Sequence, residues 1–126
     1  MGMLKFISDK LYANDKEVAL VESQLGVGQT WHNVKASRVY ATTYTNNTGK
    51  PIFVKVTHAA NSSNDPCRIF MTLNGNTIDR SASAVFSGNT GYAHISCLIP
   101  DGNTYMVNSD VGNNTPYSWY ELRETP

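Results

Sequence analysis

Across its 126 residues the chain has no helix-period segment of domain size, no excess charge of either sign and only two cysteines. It also has no apolar run near the roughly 20 residues of a membrane span. Each absence excludes something. Ten basic and ten acidic residues cancel, so there is no basic footprint to displace counterions from phosphate, and nucleic acid is set aside as a partner. No membrane insertion is expected, and Met1-Gly2-Met3-Leu4-Lys5 lacks a signal-peptide core, so the product is expected to be cytosolic when made. Met1-Gly2 ahead of a second Met raises the expectation of an expression scar on a fragment of a longer chain. Near-zero net charge weakens the repulsion that keeps monomers apart, which favours an oligomer. The length suits one domain with a single modest core.

Signatures of chemistry are equally scarce. Cys67 and Cys97 each lie in an apolar alternating run and read as small buried hydrophobes, and whether they pair is left open. His94 and Cys97, three apart, point to opposite faces of a strand, which argues against a zinc pair. His32 and His58 stand alone near strand ends, where a solvent-facing histidine is the common case. No serine lies between glycines two before and two after it. Asp65, Asp79, Asp101 and Asp110 sit in turn contexts where short carboxylates cap the backbone. Catalysis, metal and cofactor are therefore not expected. The three Asn-x-Ser/Thr triplets at Asn46, Asn61 and Asn113 are expected by chance in a chain this rich in those residues.

What is present is a succession of short alternating runs closed by Asn-, Gly- and Thr-rich turns. Ala36 to Thr45 reads as a strand with Arg38, Tyr40, Thr42 and Tyr44 on one face, and it is expected to form a hairpin with Pro51–Thr57, whose Ile52, Val54 and Val56 face inward. Cys67, Ile69, Met71 and Leu73 make a core face. Asn74-Gly75 is the strongest hairpin signal, since a type I′ turn needs positive φ at both central residues, and it is expected to join Cys67–Leu73 to Thr77–Phe86. Ser87 to Gly91 is expected to close a further hairpin onto Tyr92–Ile99, with Ala93, Ile95, Cys97 and Ile99 inward. Thr104–Ser109 and Ser118–Arg123 complete an all-β, antiparallel β-sandwich of jelly-roll-like kind, residues 28–126. Residues 1–27 differ: the first 25 hold seven of the twenty charges and read as two strands about a turn at Asn14-Asp15. That segment has too little apolar surface to fold alone.

Several words in fixed order resemble a known family: Gly28-Gln29-Thr30-Trp31-His32-Asn33-Val34, Ser37-Arg38, Thr43 to Ile52, Leu73-Asn74-Gly75, Ile99 to Tyr105, and Trp119-Tyr120-Glu121-Leu122-Arg123. Over about Gly28 to Arg123 the chain is similar to the C-terminal tip domain of tailed-phage and prophage tail-fibre proteins. Tyr12 to Ala19 also looks like the end of a fibre shaft, with Asn14-Asp15 where such families often carry Asn-Gly. The resemblance implies a parallel homotrimer in a virion tail fibre, with an extended shaft segment below three sandwich domains. It implies that their distal loops touch a host surface, either a glycan such as lipopolysaccharide or an outer-membrane protein.

Sugar recognition favours aromatic faces beside amide and carboxylate groups, and this chain has seven Tyr, two Trp and abundant Asn. The candidate ligand-binding positions in or beside the long loops are Asn61, Asn64, Asp65, Asn89, Tyr92, Asn113, Asn114 and Tyr117. The same residues also suit turn capping and covering of the core edge. Trp31 and Trp119 read as indoles pinning the two termini together, and Tyr40 and Tyr44 suit either structure or a subunit contact. Two other roles stay open: a trimerisation or assembly cap without receptor contact, and a carbohydrate-binding module of a lytic enzyme.

Overall fold

Val54 and Val56 are fully buried while Lys55 between them is exposed, the period-two signature of a strand with one wet face. The same alternation recurs along the chain and builds two antiparallel four-stranded sheets packed together. The computed structural model describes residues 5–7, 10–13, 16–18, 24–60, 67–83, 90–109 and 115–126, with side chains from residue 24 onward. Eleven strands are described: β1 (Lys5–Ile7), β2 (Lys10–Ala13), β3 (Lys16–Val18), β4 (Thr30–Asn33), β5 (Thr43–Thr45), β6 (Ile52–Ala60), β7 (Cys67–Leu73), β8 (Asn76–Ser83), β9 (Gly91–Ile99), β10 (Thr104–Asn108) and β11 (Ser118–Arg123). Among the described residues no helix is long and apolar enough to cross a membrane.

One sheet runs β4-β11-β6-β9 and the other β5-β10-β7-β8. The pairing nests around a single pivot. β7 and β8 close the inner hairpin at Asn74-Gly75, where φ is 51° and 85° as a type I′ turn requires. β6 pairs with β9, β5 with β10 and β4 with β11, each pair outside the last. Wrapping this four-deep ribbon into two sheets is jelly-roll connectivity. The register of β7 with β8 skips Ile78, a bulge that leaves that side chain exposed.

Two expected hairpins are therefore absent. Ala36–Thr45 does not pair with Pro51–Thr57, because β5 and β6 lie in different sheets, and β8 and β9 are likewise separated. The expected ten-residue strand is also shorter: Lys35–Ser37 forms a 3-10 turn and only Thr43–Thr45 is strand. Ala41 explains the break. Its φ of 60° is left-handed, and its N–H donates to Val107 O at 2.9 Å.

The core between the sheets contains Ile52, Val54, Val56, Cys67, Ile69, Met71, Ala93, Ile95, Ile99, Val107 and Trp119, with Leu73 and Cys97 packed against it. Both cysteines are free thiols, and burial pushes each pKa up. In the leading segment β1, β2 and β3 form an antiparallel sheet of their own, and Ala13 opposite Lys16 flanks the expected turn, whose Asn14 and Asp15 lie outside the described residues.

Candidate binding site

The register gives the sandwich two distinct ends. The chain enters at the end where Thr30 pairs with Arg123, and the Asn74-Gly75 and Pro100–Asn103 turns lie there too. β6, with nine residues, carries the fold to the other end, about 30 Å away at the rise of an extended strand. At that far end β6, β8 and β10 finish while β7, β9 and β11 start. The connections 61–66, 84–89 and 110–114 therefore all leave and rejoin the sandwich there. Asn61, Asn64, Asp65, Asn89, Asn113 and Asn114 fall in them and lie outside the described residues.

Two candidate positions are described, and they meet. Alternation along β9 sends Ala93 and Ile95 inward and Tyr92 outward, opposite Ala59 of β6. Tyr117 is fixed by its N–H donating to Thr57 O at 2.9 Å. The two rings sit edge to face, with centroids 5.4 Å apart and planes at 73°. They remain 44% and 57% exposed, so the pair supports itself without covering the core edge. Beside it a 220 Å³ hollow is lined by Lys35, Ala59, Thr115, Pro116 and Tyr117.

Beneath the far end lies a histidine that sequence reading places in solvent. His58 is 1% exposed, with Nδ1 2.9 Å from the Tyr40 hydroxyl and Nε2 3.5 Å from Ser109 Oγ. Burial holds its pKa below the ordinary value and pushes the Tyr40 phenol up. Tyr40 is thus a core residue. Tyr44 packs against Trp119, with ring centroids 6.0 Å apart. Trp119 is fully buried, while Trp31 is 49% exposed. The termini are pinned by the β4–β11 ladder, with Trp31 opposite Leu122, and the Trp31 indole is left on the outer face.

The most concentrated electrostatics were invisible in the sequence. Glu121, fully buried on β11, accepts from Arg38 Nε (3.1 Å) and Nη2 (3.0 Å), from Arg123 Nη1 (2.7 Å), and from the Tyr105 hydroxyl. Burial raises its pKa, but the donors from Arg38, Tyr105 and Arg123 outweigh that and hold it below the usual carboxylate value. Arg38 also lies over the Tyr44 ring at 4.7 Å. A carboxylate occupied by donors at both oxygens is a poor proton carrier, and the group anchors the 34–42 crossover to the sheet. Inward position between Trp119 and Arg123 was the available signal, but the alternation of a strand does not say what polar partner awaits a charge.

His94 and Cys97 lie on opposite faces of β9, His94 exposed and Cys97 half-buried against the core. Asp101 caps backbone as expected, accepting from Gly49 N at 2.9 Å. A scan of the chain against protein-family models and a search of curated proteins each gave no match.

Proposed function

We propose that this domain is the receptor-binding tip of a viral tail fibre, a homotrimer whose far end grips a host cell-surface glycan such as lipopolysaccharide and performs no bond-breaking step. The observation that carries this reading is polarity: β4 begins at one end, and an exposed tyrosine pair sits at the opposite end, where β6, β8 and β10 finish. A stiff two-sheet frame holds that pair at the end opposite the start of β4, which is where a contact surface on a fibre belongs. Pyranose C–H faces stack on tyrosine rings, and the Lys35 and Thr115 side chains beside the hollow offer polar partners. Weak binding at one far end suffices, because three copies per tip multiply affinity through effective concentration.

The test uses the full chain and whole host cells with and without surface polysaccharide. The Tyr92→Ala/Tyr117→Ala double variant is expected to lose cell binding at least tenfold while light scattering still reports a trimer. Undiminished adsorption by that variant would sink the receptor reading and favour an assembly cap. A wild-type monomer would sink the fibre reading.

A further inference from the structure

We infer that the outer face of the β4-β11-β6-β9 sheet carries a second, lateral site that takes a carboxylate-bearing pyranose. The register lays this face out in rows. Trp31, Leu122, Phe53 and Leu98 stand opposite one another across all four strands and form an apolar bar. The next row is Asn33, Tyr120, Lys55 and Ser96, and the one after it Ser118, Thr57 and His94. Between bar and rows lies a groove of 480 Å³ lined by Trp31, Lys55, Thr57, His94, Ser118 and Tyr120, within the range of about 300–1,000 Å³ for small-molecule sites.

The chemistry of this lining selects a ligand. Trp31 and Tyr120 are diagonal neighbours on adjacent strands, 49% and 38% exposed, and offer ring surface to the C–H face of a sugar. Trp31 is held by a T-shaped contact with Phe53, with centroids 6.1 Å apart and planes at 88°, so its orientation is set before a ligand arrives. Thr57 and Ser118 bring hydroxyls. His94 Nδ1 lies 3.0 Å from Thr57 Oγ1, and Nε2 has no partner among the described residues. Lys55 is the one permanently charged side chain in the lining, which holds no carboxylate, and Lys55 makes no ion pair among the described residues. An apolar ring with hydroxyls and one negative charge fits; a neutral sugar leaves the ammonium unanswered, and a cationic one is repelled.

The experiment titrates the full chain with a galacturonate tetramer and with a neutral hexose tetramer, following indole fluorescence and calorimetry at low and high salt. The acidic tetramer is expected to bind at least tenfold more tightly than the neutral one, with the preference shrinking as salt rises. Lys55→Gln should erase the preference and Trp31→Ala should abolish both, each with an unchanged circular dichroism spectrum, since both side chains are exposed. Tyr92→Ala/Tyr117→Ala should leave both affinities intact, which separates this groove from the far-end receptor site. Absence of binding at millimolar ligand, equal affinity for the two tetramers, or an unaltered preference in Lys55→Gln would overturn the proposal.

Discussion

The two ends of the sandwich are both rich in Asn, Gly and Thr, yet they spend these residues in opposite ways. At the entry end the polar groups satisfy one another. Asn46, 2% exposed, donates to Lys50 O at 2.7 Å and Ile99 O at 2.9 Å and accepts from Thr48. Asn74 and Asn103 bond across neighbouring turns at 2.9 Å, and Lys50 is paired with Glu124. At the far end, among the described residues, Tyr92 and Tyr117 are held by each other and by backbone, and stay open to solvent. Among the described residues, one end is therefore a polar clasp and the other carries an exposed aromatic pair.

The sharpest way to break that contrast is to attack the entry half. Glu121→Ala leaves the half-buried Arg38 and Arg123 guanidiniums without a counter-charge and is expected to cost about 3 kcal/mol, read from the urea midpoint. A loss under about 1 kcal/mol would mean the cluster is decoration. Asn46→Ala removes the side-chain donor to Ile99 O, while Lys50 O keeps its donor from Thr48, and should cost about 1–3 kcal/mol by the same measurement.

A pH titration separates the ends without changing the strand pairing. His58 has its pKa lowered from 6.5 because burial disfavours the charged form. As pH falls through 6.5 the unfolded chain takes up a proton that the folded protein resists, so stability is full above that pH and declines below it. Glu121, lowered from 4.5, keeps its contribution until the pH falls below that value. Far-end chemistry therefore weakens first on acidification, and His58→Gln should flatten the decline between about pH 7 and 5 while leaving the steeper acid limb. An unchanged profile in that variant would remove His58 from the account. The smallest effect on folding belongs to Tyr117→Ala, expected within about 1 kcal/mol of the parent because the ring is exposed and loses one aromatic contact. A loss several times larger would show that the far end is part of the frame.

Local readings were sound where one residue's neighbours along the chain decide its fate. Ile52, Val54 and Val56 were legible as a core face from period alone, as were Cys67, Ile69 and Met71, and Asn74-Gly75 announced its own backbone conformation. Tyr92 and Tyr117 were both singled out from loop proximity, but their contact across 25 positions of sequence rests on β6 and β9 pairing. His58 is expected in solvent only because it stands near a strand end, whereas it continues the inward face of Ile52, Val54 and Val56 into the core. Trp31 was misread for the opposite reason: an indole reads as core, while its strand sends it outward.

By itself the sequence determined most of the strands from Ile52 onward, which face of them is apolar, and where the central turn falls, because those depend on side-chain period and local φ. The tertiary structure alone decided that the ribbon nests instead of meandering. It also decided that a buried carboxylate finds two arginines, and that Tyr92 meets Tyr117. Those outcomes depend on contacts between residues far apart in the chain, whose energies appear only once the two sheets face each other.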